Sequence, residues 1–160
     1  MRCPEAMLIG AKALIGVIHL PALPGAPLSE LGMRELRDRV ARDASALAAA
    51  GFDAALIENY GDAPFLQGPA GPETIACMAV LAEIARKESG LPLGVNVLRN
   101  DALGALAVAV ATEARFVRVN ILVGARVTDQ GIIEGAAATL LRARRQLGAL
   151  DVKIVARTST

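Results

Sequence analysis

Six polar or charged residues stand within or at the ends of apolar segments that have the length of β-strands. Their types are the ones used in proton transfer and anion binding: one carboxylate, one histidine, two cations and two amides. These candidate catalytic residues are His19, Glu58, Asn96, Arg118, Asn120 and Lys153. Further polar residues follow the same segments as candidate ligand-binding residues: Asn59, Asp62, Arg99, Asn100 and Asp129.

The alternation of side chains along a strand indicates which of these residues meet. Arg118 and Asn120 share a strand face with Phe116, whereas Val117 and Val119 share the opposite face. An arginine in the middle of a strand is costly to bury unless it is paired, so we expect Glu58 to neutralise it. Lys153 is a second cation predicted on this face. Asn96 shares its face with Gly94, which leaves room for a larger side chain opposite.

Cations and amides that converge on one mouth favour a small anionic ligand, such as a phosphorylated or carboxylated metabolite. The alternative is a structural network of ion pairs. His19 is either an acid/base residue or a hydrogen-bonded structural histidine, and Asp101 and Asp129 are either helix caps or catalysts. No nucleophile elbow and no metal-ligand spacing occurs, so the sequence indicates no metal and leaves any cofactor unknown.

The elements that position these residues alternate between strand and helix. Apolar runs predict strands at residues 14–20, 54–59, 93–98, 116–122 and 152–156. Helical patterns occupy residues 34–50, 72–89, 101–112 and 130–147, with Gly51, Gly90 and Gly148 as terminators. Asn100 or Asp101 is expected to cap the third helix, and Thr128 or Asp129 the fourth.

This order predicts an α/β fold with five parallel strands and four helices. Continuous apolar strands are typical of parallel sheets that are buried on both faces. The loop after the first strand holds Pro21 and Pro24, which lack the N–H groups of a phosphate-binding turn, and no glycine fingerprint occurs. We therefore expect residues 1–160 to form one incomplete domain, the N-terminal part of a (β/α)8 TIM-type barrel.

Composition limits the classes of partner. The net charge is +1 and aromatic residues make up 2% of the chain, which argues against nucleic-acid binding. No apolar run reaches the roughly 18 residues that span a bilayer, so a cytoplasmic protein is expected, with peripheral membrane contact left open. Cys3 and Cys77 are interpreted as free thiols.

At these same positions the chain resembles the BtpA/SgcQ family. The resemblance lies in Leu14–Gly25, in Gly51–Asp53 leading to Glu58–Phe65, in Pro92–Asp101, and in Phe116–Asn120 with Thr128–Gly131. It implies a barrel of the ribulose-phosphate-binding type. The family takes its name from a role in photosystem I biogenesis, and sugar or nucleotide metabolism is the implied role elsewhere.

The resemblance ends at Arg157–Thr160, where the family pattern continues with an acidic residue and a histidine-containing stretch. The chain is therefore expected to correspond to strands one to five of eight, as a fragment or a frameshifted or truncated product, with self-association through unpaired strand edges. Three functions stay open: an enzyme of phosphorylated metabolites, homo-oligomeric if complete; a non-catalytic assembly factor for a membrane complex; and a nonfunctional fragment.

Overall fold

A computed structural model describes residues 12–156 of the chain. Strands and helices alternate along it, with one additional pair of strands. The strands are β1 (Ile15–His19), β2 (Ala54–Glu58), β3 (Leu93–Asn96), β4 (Phe116–Val119), β5 (Ala125–Thr128), β6 (Gly131–Glu134) and β7 (Lys153–Ala156). The helices are α1 (Met33–Ala49), α2 (Pro72–Ser89), α3 (Ala102–Ala111) and α4 (Ala137–Gln146).

Five strands form one parallel sheet in the order β1-β2-β3-β4-β7. The predicted α/β fold with a five-stranded parallel sheet and four helices is confirmed. Within residues 12–156 no pairing joins β7 to β1, so the sheet has two outer edges.

The helices begin and end where local chemistry requires. α2 runs from Pro72, which suits the first turn of a helix, to Gly90, which adopts a left-handed φ of 62°. The Asp101 side chain accepts a hydrogen bond from the Gly104 N–H at 2.8 Å and caps α3. Both helices therefore have the bounds that their capping residues predict, within one residue.

The two faces of the sheet are packed differently. The helix-facing side holds the large core, which includes Val95 and Val117. The other face holds a small cluster in which Phe116 packs with Ala54 and Leu56. Gly94 makes room for Phe116, because a Cβ at residue 94 would lie 2.1 Å from the Phe116 ring. The expectation that Gly94 leaves space for a larger residue is confirmed.

The predicted fourth helix is wrong over its first seven residues. In place of a helix from residue 130, β5 and β6 form an antiparallel hairpin, and α4 begins only at Ala137. Thr128 and Asp129 are therefore not helix caps. The Thr128 hydroxyl donates to the Gly131 carbonyl and accepts from the Gln130 N–H, and Gly131 adopts a φ of 100°, so these residues close a tight turn.

Two predicted features lie outside the described residues: Cys3 and the segment Arg157–Thr160 at which the resemblance ends. Over the part of the chain that is described, no helix combines the length and the apolar character that crossing a bilayer requires.

Candidate functional site

The ends of β1, β2 and β3 place three polar side chains side by side. His19 pairs in register with Glu58, and Glu58 pairs with Asn96. Residues directly opposite each other on neighbouring strands point to the same face, and the carboxyl ends of parallel strands meet at the same edge. Together with Arg118 and Asn120, which lie in and just after β4, these residues form what we call the polar row.

The Glu58 carboxylate is the centre of the polar row. Its Oε2 atom accepts a hydrogen bond from Asn96 Nδ2 at 2.6 Å and from Arg118 NH1 at 2.9 Å. Its Oε1 atom faces His19 Nε2 at 3.7 Å, which is longer than a direct hydrogen bond. The expected pairing of Arg118 with Glu58 is therefore present, and it uses one carboxylate oxygen while the other faces the imidazole.

Exposure differs sharply within this group. The Glu58 side chain is 6% exposed, whereas those of His19 and Arg118 are 53% and 45% exposed. A charge that is almost fully buried needs a partner, which Arg118 supplies. A ligand from solvent can therefore contact His19 and Arg118 directly, whereas Glu58 is largely covered.

Asn120 joins the row from the segment that follows β4. Asn96 Nδ2 lies 3.4 Å from Asn120 Oδ1, and Asn120 Nδ2 donates to the Arg99 carbonyl at 2.9 Å. The strand ends at Val119 rather than at the predicted residue 122. Beyond it, the Asn100 side chain accepts from the Ile121 N–H and donates to the Ile121 carbonyl, and so replaces a strand partner.

Asn59 and Asp62, two candidate ligand-binding residues, are buried and bind the protein's own loops. Asn59 accepts from the Leu98 N–H at 2.7 Å and donates to Asp62 Oδ2 at 3.0 Å. Asp62 Oδ1 accepts from the Leu23 N–H at 2.7 Å. These contacts tie the loops after β1, β2 and β3 together. The Asn100 side chain likewise binds the protein's own backbone, because its amide is hydrogen-bonded to Ile121 in the segment after β4.

The structure does not bring all candidates to the polar row. Lys153 is the first residue of β7 and pairs in register with Phe116. It therefore lies on the same face of the sheet as Arg118, but two residues closer to the amino ends of the strands. Asp129 lies exposed in the turn of the hairpin. Arg99 is half-buried, and its backbone carbonyl accepts a hydrogen bond from the Asn120 side chain of the polar row.

Tyr60 is a neighbour of the site that sequence reasoning did not single out. Its ring stacks on the His19 imidazole, with ring centroids 4.5 Å apart and planes inclined by 22°. Tyr60 is the one tyrosine in the chain and follows Glu58 and Asn59 directly. An isolated exposed aromatic residue beside polar strand ends is the signal that could have identified it.

Cys77 lies in the first half of α2, within the electrostatic influence of Asp62 and Glu73. Burial raises the pKa of the Cys77 thiol, and the nearby carboxylates of Asp62 and Glu73 raise this pKa further. The thiolate form is therefore disfavoured at neutral pH. The thiol is free, as predicted, and contacts the apolar core.

Among the cavities formed by the described residues, two of ligand size do not include the polar row. One, of about 570 Å³, lies under the hairpin, between Gln67, Leu103 and Ile132. The other, of about 660 Å³, lies at the opposite end of the sheet beside Arg86, Arg115 and Asp151. The polar row lies on the side of the sheet away from the helices, where the side chains of His19 and Arg118 reach solvent. Among residues 12–156, no group of three or more His, Cys, Asp or Glu side chains is arranged to hold a metal ion.

Comparison of the amino-acid sequence with known proteins identifies the family of this chain. The family model described as the BtpA family matches residues 10–159. An uncharacterized protein of Methanocaldococcus jannaschii is 48% identical over 136 residues, which cover 85% of this chain and 52% of the relative. An uncharacterized protein of Pyrococcus horikoshii is 46% identical over 141 residues, covering 88% of this chain and 54% of the relative.

A further relative carries a functional name. The protein of Synechocystis called Photosystem I biogenesis protein BtpA is 43% identical over 143 residues, covering 89% of this chain and 50% of the relative. The chain spans about half the length of the curated relatives it matches. No solved structure matches it.

Proposed function

The chain belongs to the BtpA family, and on that premise we propose that its sheet is part of a TIM-type barrel whose polar row binds a small anionic metabolite. Two observations support the barrel. The five parallel strands leave both outer edges unpaired within residues 12–156, and the relatives are about twice as long as the matched segment. Ligand sites of β/α barrels lie at the carboxyl ends of the strands, where the polar row lies.

The Arg118 guanidinium carries the anion proposal. It binds Glu58 through NH1 only, and among the described residues it makes no other hydrogen bond. A guanidinium has five donors in a planar fork that fits phosphate and carboxylate oxygens. The Arg118 side chain is 45% exposed, so a ligand from solvent can reach it. Arg99 follows β3, and Lys153 lies on the same face as Arg118, one layer below it. This excess of cations favours a phosphorylated ligand.

His19 supplies the proposed acid/base chemistry. An imidazole accepts a proton on one ring nitrogen while the other carries hydrogen, and Glu58 faces the Nε2 atom of His19. In the proposed step, the other ring nitrogen takes a proton from a C–H or O–H group of the ligand. The electron pair of that bond stays on the ligand, the resulting imidazolium is stabilised by the Glu58 carboxylate, and the proton is returned in the second half-reaction. The step balances as an isomerisation, in which the proton returns to a neighbouring atom of the same ligand. In a lyase, the electron pair instead forms a double bond and breaks the bond to a leaving group, which takes the proton from the imidazolium.

A thermal-shift titration of the full chain tests the proposal. Inorganic phosphate, phosphosugars and dicarboxylates are added in turn to the parent chain and to two variants, Arg118→Ala and Arg37→Ala. A ligand at a hundredfold excess over its Kd stabilises the folded state by about 2.7 kcal/mol. We expect one of the phosphorylated compounds to raise the Tm of the parent and of Arg37→Ala, because Arg37 is exposed on α1, away from the row.

The Arg118→Ala variant should show no such rise, measured against its own ligand-free Tm. Equal stabilisation of Arg118→Ala would contradict the assigned role of Arg118. No response of the parent to any anion would remove the main support for the metabolite proposal.

A second candidate function is a non-catalytic role in assembling a membrane complex, with peripheral membrane contact. It is favoured by the name of the Synechocystis relative and by apolar side chains exposed in the hairpin and just before it, namely Val123, Val127 and Ile132. Co-sedimentation with membranes that carry photosystem I separates the two proposals. The assembly proposal predicts that Val127→Asp abolishes co-sedimentation and Arg118→Ala does not, and the opposite pattern contradicts it.

A further inference from the structure

The His19–Tyr60 stack is a contact between two exposed side chains. His19 is 53% and Tyr60 58% exposed, so burial in the core does not explain their parallel arrangement. Stacked or offset aromatic pairs at this separation attract each other beyond the area they bury. The stack therefore depends on this attraction and on the backbones that hold the two rings within reach of each other.

The turn that carries Tyr60 is fixed on both sides. Asn59 and Asp62, which flank it, are buried and hydrogen-bonded to the loops after β1 and β3. The Gly61 N–H donates to the Leu20 carbonyl at 2.9 Å. A Cβ at residue 61 would lie 2.3 Å from the Ala22 backbone nitrogen, so glycine is needed for this close approach. Buried polar anchors thus hold one exposed ring over the end of β1.

Among residues 12–156, the imidazole beneath Tyr60 makes no side-chain hydrogen bond, and its charged neighbour is Glu58. His19 ends β1, and its Nε2 atom faces Glu58 Oε1 across 3.7 Å without a direct hydrogen bond. A half-exposed imidazole held only by that contact would rotate about its side-chain bonds. A ring stacked on its face restricts this rotation and keeps Nε2 toward the carboxylate.

We propose that Tyr60 is a positioning residue that orients the His19 imidazole toward Glu58 and presents its second nitrogen to a ligand held by Arg118. The part of this proposal that concerns the ligand rests on the function proposed above. The part that concerns the orientation of the imidazole rests on the stack alone. Asn59 and Asp62 then contribute indirectly to the orientation of His19, because they fix the turn that carries Tyr60.

The composition of the chain makes the test direct. It contains one histidine, one tyrosine and no tryptophan, so the imidazole signals in an NMR spectrum belong to His19 and intrinsic fluorescence comes from Tyr60. The full chain is compared with Tyr60→Phe, which keeps a stacking ring, and with Tyr60→Leu, which does not. Leu66→Ala is the control, since Leu66 is exposed on the same loop.

In the parent chain and in Tyr60→Phe, we expect ring-current-shifted imidazole protons and ¹⁵N shifts of a single dominant tautomer, with hydrogen on the nitrogen that faces Glu58. In Tyr60→Leu, the protons should move to unstacked positions and the ¹⁵N shifts toward the average of both tautomers. The Kd for inorganic phosphate, followed on the same signals, should weaken about two- to tenfold in Tyr60→Leu, as the strength of an aromatic pair implies, and recover in Tyr60→Phe.

Unchanged imidazole signals in Tyr60→Leu, or equal changes in Leu66→Ala, would overturn the positioning role. Absence of phosphate binding by the parent chain would count against the proposed anion site and not against the stack, because the imidazole signals of the same samples still support or overturn the orientation by Tyr60. A loss of phosphate binding in Tyr60→Phe as well as Tyr60→Leu would contradict a role that depends on the ring rather than the hydroxyl.

Discussion

At the scale of single residues, Glu58 determines how the polar row is arranged. Its carboxylate is nearly buried and takes two donors on one oxygen, from Asn96 and Arg118. The sequence was sufficient to predict the Arg118 pairing, because strand alternation and the cost of an unpaired buried charge leave few alternatives. The role of Asn59 and Asp62 could not be predicted, since it depends on which loop backbones come near them in the fold.

Removing Arg118 should destabilise the folded chain. Arg118→Ala leaves the Glu58 carboxylate without its cation, and we expect a loss of about 1–3 kcal/mol in the free energy of unfolding, less than for a fully buried pair because Arg118 is half-exposed. Urea denaturation measures it, with Arg37→Ala as the control for loss of a surface arginine. The double variant Glu58→Gln with Arg118→Ala should recover part of the loss. Equal stability of Arg118→Ala and Arg37→Ala would show that the pair contributes nothing.

Cys77 should react slowly with thiol reagents at neutral pH. Its pKa is raised first by burial and then by Asp62 and Glu73, so a smaller fraction is thiolate than for an ordinary cysteine, and the alkylation rate should rise only above the ordinary titration range. The rate of reaction with iodoacetamide is measured against pH in a Cys3→Ser background. Glu73→Gln removes a negative charge and should accelerate the reaction at a fixed pH, whereas Glu88→Gln, at the other end of α2, should not. A rate equal to that of free cysteine in both variants would contradict this account.

At the scale of elements, α2 was predicted correctly and the start of α4 was not, for identifiable reasons. Pro72 and Gly90 mark the two ends of α2 by their backbone preferences alone. Residues 125–134 contain Val127, Ile132 and Ile133, which favour strands, but Thr128 and Asp129 also resemble a helix cap. The hairpin is selected by the positive φ of Gly131 and by a contact distant in sequence, from Gln67 Nε2 to the Ile132 carbonyl.

The packing of β3 against β4 depends on the absence of a side chain at residue 94. Gly94→Ala would place a Cβ against the Phe116 ring, and the resulting overpacking should cost about 1–3 kcal/mol of unfolding free energy. Gly68→Ala is the matched control, because nothing lies within 4 Å of the added atom, and it should change stability by less than about 0.5 kcal/mol. Chemical denaturation of both variants gives the comparison. Equal stabilities would mean that β3 and β4 do not pack as described.

The hairpin should be anchored by one of two adjacent isoleucines. Ile133 is 4% exposed and Ile132 is 61% exposed. Ile133→Ala should cost about 2–4 kcal/mol and increase hydrogen exchange across β5 and β6, since it empties a buried site. Ile132→Ala should leave both nearly unchanged. A larger effect of Ile132→Ala would indicate that the opposite face of the hairpin is the buried one.

At the scale of the whole molecule, the parallel sheet is what gathers residues far apart in sequence. His19, Glu58, Asn96 and Arg118 come from four strands, and they meet because parallel strands bring all their carboxyl ends to one edge. Parallel order could be predicted from the alternation of apolar strands and helices. The height of each residue along the sheet could not be predicted, because it depends on the register between neighbouring strands. Lys153 is one layer below the row for this reason.

A crystal structure of the full chain grown with arsenate, an anomalously scattering analogue of phosphate, tests most directly whether the strand ends form one anion-binding mouth. We expect the strongest anomalous peak about 3 Å from free donors of the Arg118 guanidinium, on the side of the polar row that His19 faces. A peak only in the cavity under the hairpin, or a structure in which Glu58 and Asn96 point away from each other, would contradict it.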